Sequence, residues 1–231
     1  MYVYGKNVVQ EIIKSNKKIQ EAYIYKNFND KNIIKSLKNR NIKINWLEKY
    51  ELDKVVKENH QGIILKVPDY KYFDIDDFIN KEESLIVILD HLEDPHNLGA
   101  IIRTCEAASV DGIIIPKDRS VSVNATVMKV SSGALENVKI AQVTNLVNTI
   151  KELKNKGFWI IGADMDGTDF EKIDYQGKIA LVIGNEGKGL SRLVRKECDF
   201  IASIPMYGKI NSLNASVAAG IIIYKTKTAR R

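Results

Sequence analysis

LIVILDHLEDPHNLGAIIRTCE, residues 85–106, is the stretch that decides the fold. It begins with a run of branched apolar residues, continues through a polar loop with an Asp-Pro turn, and ends in a segment with helical spacing. An unbroken apolar run is typical of a strand that is buried on both faces of a parallel sheet. The stretch therefore predicts one strand–loop–helix unit of an α/β fold.

The same pattern recurs through the rest of the chain. Five further apolar runs follow, at 112–116, 139–143, 158–164, 179–184 and 199–205. Helix-compatible stretches lie between most of them, and this alternation predicts a parallel sheet with helices on both faces. Because such sheets bind ligands beyond the carboxyl ends of their strands, the loops after the apolar runs form the candidate site.

The beginning of the chain predicts a second, smaller α/β unit. Three strand-like segments, interleaved with short amphipathic helices, lie at 22–26, 43–47 and 62–67. A stretch with one proline and a cluster of aspartates then shows little regular pattern. We therefore predict a small α/β domain at 1–67, a linker at 68–83 and a larger domain at 84–231.

Positive charge is concentrated in the smaller domain. Residues 1–66 hold 14 Lys and Arg against 7 Asp and Glu, whereas residues 67–231 hold 21 against 22. A basic module beside a nearly neutral one favours contact between a polyanion and the first third of the chain. A general preference of this sequence for Lys and Asn would give the same surplus, so charge alone leaves nucleic acid binding open.

Several function classes receive no support from the sequence. No apolar run approaches the roughly 18 residues of a membrane helix, and the first residues lack the pattern of a signal peptide. Cys105 and Cys198 have neither metal-ligand nor CxxC spacing, which favours core thiols in a reducing compartment. His91 and His96 have no third ligand in view, so we predict no metal site. We expect a cytoplasmic protein without a membrane partner.

The loop after the run at 179–184 reads Gly-Asn-Glu-Gly-Lys-Gly-Leu-Ser-Arg. Its three glycines would let a ligand approach the backbone closely. The pattern is neither a Walker A loop nor the GxGxxG dinucleotide fingerprint. Glu186 would repel a di- or triphosphate but would tolerate a cation or a hydroxyl donor, which is compatible with a sulfonium ligand.

Polar residues in the other two loops are candidates for helix starts and for anion binding. In the first loop, Asn97 is predicted to cap the following helix, and Arg103 either forms a structural ion pair or binds an anion. In the third loop, Ser212 and Asn214 are good helix starters. The helix after them carries small side chains, so another backbone could pack closely against it.

These three loops, in this order, resemble the three motifs of the SpoU family of RNA 2′-O-methyltransferases. The matching segments are DPHNLGA with Arg103, LVIGNEGKGL, and IPM to SLNASVA. YGKNVV at 4–9 and HQGI at 60–63 resemble the ribosomal-protein-like RNA-binding domain of some members. The nearest branch methylates a guanosine ribose of 23S rRNA. The resemblance implies a C-terminal trefoil knot and a homodimer.

The resemblance also implies the chemistry. S-adenosylmethionine would be the cofactor and RNA the partner, whereas DNA lacks the 2′-hydroxyl and would not be a substrate. The residues implied in catalysis are Arg103, Asn97, Glu186, Ser212 and Asn214. Those implied in cofactor binding are Gly184, Asn185, Gly187, Ile204, Met206, Leu213 and Asn214. Because a guanidinium stays protonated, we expect Arg103 to hold a phosphate beside the hydroxyl rather than to act as the base.

Other functions stay open at this point. The same chemistry on a transfer RNA, or on an rRNA site that confers antibiotic resistance, would use the same motifs, which describe the cofactor site. A non-catalytic RNA-binding assembly factor would not need Arg103, Glu186 and Asn214 together. A nicotinamide dehydrogenase is weakly supported, since no GxGxxG follows any predicted strand.

Overall fold

The computed structural model describes residues 1–15 and 17–230. The chain divides into two compact units. The first comprises Met1–Lys71 and Val123–Gly133, and the second comprises Tyr72–Ser122 and the chain from Ala134 onward.

Two segments fall on the other side of the predicted domain limits. Residues 123–133 group with the first unit, although the sequence placed them in the larger domain. Residues 72–83, taken as linker, belong to the second unit because Phe78 and Ile79 are buried in its core. Gly112 accommodates this contact, since a Cβ there would lie 2.3 Å from the Phe78 ring.

A four-stranded sheet forms the first unit. Its strands, in the spatial order β1-β4-β2-β3, are β1 (Tyr2–Tyr4), β4 (Ile63–Lys66), β2 (Glu21–Tyr25) and β3 (Lys43–Leu47). The three predicted strands are present, and the sequence missed β1, which pairs antiparallel with β4. Three residues are too few for an alternating pattern to be recognised.

Both faces of this sheet are covered. Its helices are α1 (Lys6–Lys14), α2 (Lys31–Asn39), α3 (Lys49–Val55) and, from the later segment, α5 (Ala125–Val130). Leu52 of α3 packs with Ile64 and Tyr23 on one face. Because side chains alternate along a strand, Ala22 and Ile24 point to the opposite face, where both are fully buried.

The two segments that carry the resemblance in this unit meet each other. Gln61 Oε1 accepts a hydrogen bond from the Lys6 backbone N–H at 2.8 Å. His60 is buried, with Nε2 2.9 Å from Asp53 Oδ1, while Nδ1 accepts from the Gly62 N–H at 3.0 Å. These residues therefore shape the junction between β1, α1 and β4.

Six parallel strands form the sheet of the second unit, as predicted. In the spatial order β10-β8-β9-β5-β6-β7 they are β10 (Phe200–Ser203), β8 (Phe158–Asp169), β9 (Lys178–Ile183), β5 (Leu85–Leu89), β6 (Gly112–Pro116) and β7 (Ile140–Val143). Their branched side chains are almost all buried, because helices cover both faces. The helices are α4 (Pro95–Ala107), α6 (Leu146–Asn155), α7 (Arg192–Glu197) and α8 (Ala215–Ala229).

The topology places two loops side by side. β5 and β9 are hydrogen-bonded neighbours running in the same direction, so the loops that follow them leave the same edge of the sheet. α4 connects β5 to β6 on one side, and α7 connects β9 to β10 on the other. Since such crossovers are right-handed, the two helices lie on opposite faces of the sheet.

α8 packs against α4. Gly220 faces Thr104, whose Cγ2 would lie 3.9 Å from a Cβ at that position. The implied knot stays a prediction. Among residues 1–15 and 17–230, no helix is both long and apolar enough to cross a membrane.

Candidate active site

Asp94, and not Asn97, caps α4. Asp94 Oδ1 accepts from the His96 backbone N–H at 2.9 Å, and Pro95 occupies the first helical position, where it needs no N–H partner. The sequence prediction that Asn97 is the cap was wrong, because Asp-Pro starts the helix three residues earlier. Asn97 lies in the first turn, and its buried side chain is available for another contact.

That contact is the carboxylate of Glu186, in the loop after β9. Glu186 Oε1 accepts from Asn97 Nδ2 at 3.0 Å and from the Asp94 N–H at 3.2 Å, and Oε2 accepts from the Glu93 N–H at 3.4 Å. A negative charge is favourable beside the N-terminus of a helix such as α4. One side chain therefore joins the loop after β9 to the loop after β5.

Asn185 makes a second connection between these loops. Its Nδ2 donates to the His91 carbonyl at 2.8 Å, while its Oδ1 accepts from the N–H groups of Gly187 and Lys188 at 3.0 and 3.2 Å. The side chain thus shapes its own turn and ties it to the neighbouring loop. The polar atoms of the Asn185 side chain are thus engaged within the protein, and its role in cofactor binding stays a prediction.

Asp90 makes a third connection, which the sequence analysis missed. Its side chain is completely buried, with Oδ2 accepting from the Ser191 N–H at 2.6 Å and Oδ1 2.6 Å from His91 Nδ1. A buried carboxylate needs such partners. The available signal was an acidic residue that directly ends the apolar run.

The glycines of the second loop have unequal roles. Asn185 and Gly189 exchange two backbone hydrogen bonds of 3.0 Å, which closes a narrow turn. A Cβ at Gly184 would lie 2.3 Å from the Gly189 carbonyl carbon, so only glycine fits there. A Cβ at Gly187 would approach nothing closer than 3.8 Å, which leaves the turn open beside this residue.

The third loop begins α8 as its sequence indicated. Asn214 caps the helix, its Oδ1 accepting from the Ser216 N–H at 2.9 Å and from the Ser216 hydroxyl at 2.6 Å. Ile204, Met206 and Leu213 are half-buried. Ser212 is exposed, and among the residues that the structure describes its hydroxyl has no hydrogen-bond partner.

Arg103 stands apart from the Asn97–Glu186 pair. It is exposed, and no ion pair or hydrogen bond of its side chain occurs within residues 1–15 and 17–230. Arg103 follows Asn97 by six residues on α4. This spacing corresponds to about 9 Å along the helix axis and a rotation of about 120° around it. The structure therefore brings Asn97, Glu186 and Asn185 together, and leaves Arg103 and Ser212 free to meet a ligand.

The two cysteines are packed as core residues. Burial raises the pKa of the Cys105 thiol well above its ordinary value, and burial beside Asp199 and Asp90 raises the pKa of Cys198 to about 12. Both thiols are therefore uncharged at neutral pH, and neither is an activated nucleophile.

The chain belongs to the SpoU rRNA methylase family, whose model matches residues 84–224. A second family model, described as RNA 2′-O ribose methyltransferase substrate binding, matches residues 2–73. The protein is thus an RNA methyltransferase of the TrmH/SpoU class, which confirms the family predicted from the three motifs.

A named relative agrees with this assignment, and solved structures share the fold. YacO of Bacillus subtilis, named as a TrmH family tRNA/rRNA methyltransferase, is 42% identical over 99% of this chain and 96% of its own length. The SpoU methyltransferase AviRb from Streptomyces viridochromogenes, solved in complex with AdoMet, matches 99% of this chain and 89% of its own, with a TM-score of 0.81 at 23% identity. An AdoMet-bound rRNA methyltransferase from Sinorhizobium meliloti matches 98% of this chain and 86% of its own, with a TM-score of 0.76 at 24% identity.

The different steric surroundings of Gly184 and Gly187 can be tested by substitution. Gly184→Ala should lower the free energy of unfolding by about 1–3 kcal/mol, because the new methyl group overlaps the Gly189 backbone. Gly187→Ala, in the same loop, should leave the Tm unchanged. Thermal unfolding of both variants without ligand measures this difference, and equal Tm values would contradict the close approach at Gly184.

Proposed function

We propose that this protein transfers a methyl group from S-adenosylmethionine to a ribose 2′-hydroxyl of RNA, in a guanosine of 23S rRNA. The observation that carries the proposal is the junction at the carboxyl ends of β5 and β9, where Glu186 binds Asn97 and the start of α4. A second candidate is the same chemistry on a transfer RNA. It is supported by the name of the B. subtilis relative, which covers both kinds of RNA.

The second and third loops fit the proposed cofactor. The turn is open beside Gly187, and a Cβ at Gly208 would meet nothing within 4 Å, so both backbones are accessible. Ile204, Met206 and Leu213 offer half-buried apolar surface to an adenine ring. When bound, S-adenosylmethionine supplies a methyl group carried on a positively charged sulfur.

The chain's own task is to place the ribose oxygen and to let its proton leave. Positioning alone can supply several kcal/mol of the activation barrier. Arg103 is exposed and unpaired among the described residues, so its guanidinium can hold the phosphate beside the acceptor ribose. The phosphate, or a water bound to it, then accepts the hydroxyl proton.

The first unit offers a basic surface for the RNA. Lys31, Lys35 and Lys38 of α2 follow one another at helical spacing and are exposed on one face. None of the ion pairs of residues 1–15 and 17–230 involves these three lysines. Their charges are therefore available to RNA phosphates.

α8 supports the proposal of a homodimer. Val217, Ile221 and Tyr224 follow one another at helical spacing and are 50%, 36% and 47% exposed. Three large apolar side chains on one helix face favour burial against a second copy of the same face.

Replacing Arg103 tests the proposed mechanism. Arg103→Ala should reduce methyl transfer at least 100-fold, because the phosphate and the ribose are no longer held. Affinity for S-adenosylmethionine, measured by calorimetry, should change less than twofold. Arg103→Lys keeps the charge but loses the bidentate geometry, so intermediate activity is expected. Wild-type turnover of Arg103→Ala would exclude the assigned role.

Neutralising the α2 lysines tests the RNA surface. The triple change of Lys31, Lys35 and Lys38 to Ala should weaken binding of an rRNA fragment. It should also reduce the slope of log affinity against log salt by about 2, at roughly 0.7 for each lost phosphate contact. The same loss of charge at Lys117, Lys172 and Lys196, which are also exposed, is the control. Equal effects of the two triple changes would refute a specific surface on α2.

A further inference from the structure

A cavity opens at the carboxyl ends of β6 and β7, beside the junction described above, with which it shares Asp90, His91 and Asn185. Its volume is about 490 Å³, which is within the range of small-molecule sites. The walls come from the loops after β5, β6, β7 and β9 and from the start of α7. We call it the β6 cavity.

Three cations at the β6 cavity are available for a ligand. Arg119, Lys188 and Arg192 line it and are exposed. Within residues 1–15 and 17–230, none of the three side chains has an acidic partner or a hydrogen bond. Arginine and lysine side chains without an acidic partner are typical binders of phosphate groups.

The other polar groups of the cavity include acceptors and one oriented imidazole. Glu93 and Asp118 line the cavity and are exposed. Asp90 is completely buried and faces His91 Nδ1 at 2.6 Å. This contact engages Nδ1, and Nε2 of His91 is left for a ligand. Leu193, 57% exposed, adds apolar surface on which a base could lie.

We propose that the β6 cavity holds a second ribonucleotide of the substrate RNA, one that flanks the nucleotide to be methylated. Its phosphate lies against Arg119, Lys188 and Arg192. The amino or imino N–H groups of its base donate to Glu93 or Asp118. This mixture of charges favours a nucleotide over a polyphosphate, which the carboxylates would repel. Single-stranded RNA is commonly read in this way, through base edges and stacking.

The inference rests on the proposed function, because it takes RNA as the substrate. It also assigns part of the RNA contact to the second unit, whereas the excess of positive charge lies in residues 1–66. A flanking nucleotide fixed in the cavity would set which ribose reaches Arg103, and would therefore contribute to the choice of site.

Binding of a fluorescently labelled rRNA fragment to the full-length protein, followed by anisotropy in the presence of S-adenosylhomocysteine, tests the site without requiring turnover. Arg119→Ala and Arg192→Ala should each weaken RNA binding about tenfold. Together they should reduce the salt slope by about 1.4, at roughly 0.7 for each phosphate contact. The matched controls are Lys117→Ala and Lys196→Ala, which remove exposed lysines close in sequence but outside the cavity wall.

Asp118→Asn distinguishes a nucleotide site from a simple anion site. Removing a negative charge should by itself strengthen binding of a polyanion, whereas replacing one acceptor oxygen with an NH2 donor should weaken the contact with the N–H groups of a base. We expect affinity to fall about threefold or more. A gain in affinity, or arginine variants that match the lysine controls, would overturn the proposal. Loss of RNA affinity in a protein whose wild type transfers no methyl group would support the cavity while refuting the proposed activity.

Discussion

Most of the site depends on the carboxylate of Glu186. It accepts hydrogen bonds from Asn97 and from the backbone N–H groups of Glu93 and Asp94, and so holds the turn after β9 against the start of α4. Asn185 and Asp90 reinforce the same junction from either side of that turn. Because these partners are largely backbone groups, small displacements of either loop would leave several polar groups unpaired at once.

The sequence predicted the strands of the larger sheet well, because each is an apolar run that helices bury on both faces. Prediction from the sequence failed where the apolar pattern is short or where the structure depends on tertiary contacts. β1 is only three residues long. Phe78, in the segment predicted as a linker, packs against Gly112, where a larger residue would not fit. The motifs predicted Asn97 and Glu186 as site residues, but not that they bind each other. Asp90 was missed because its partners, Ser191 and His91, come together only in the fold.

We propose that the cationic surfaces of the molecule have different tasks. The lysines on α2 form a uniform basic face, which suits the sequence-independent attraction of phosphates. The β6 cavity combines cations with carboxylates, which suits recognition of one nucleotide. Arg103 is exposed on α4, and we propose that it holds a phosphate there. In this account affinity, choice of site and chemistry use different residues.

The central claim is best tested by labelled methyl transfer from S-adenosylmethionine into unmodified rRNA and transfer RNA transcripts, followed by alkaline digestion. A 2′-O-methyl group blocks strand cleavage at its own nucleotide. The account predicts label in an alkali-resistant dinucleotide derived from rRNA. Label in mononucleotides would place the methyl group on a base and would contradict ribose methylation by this site.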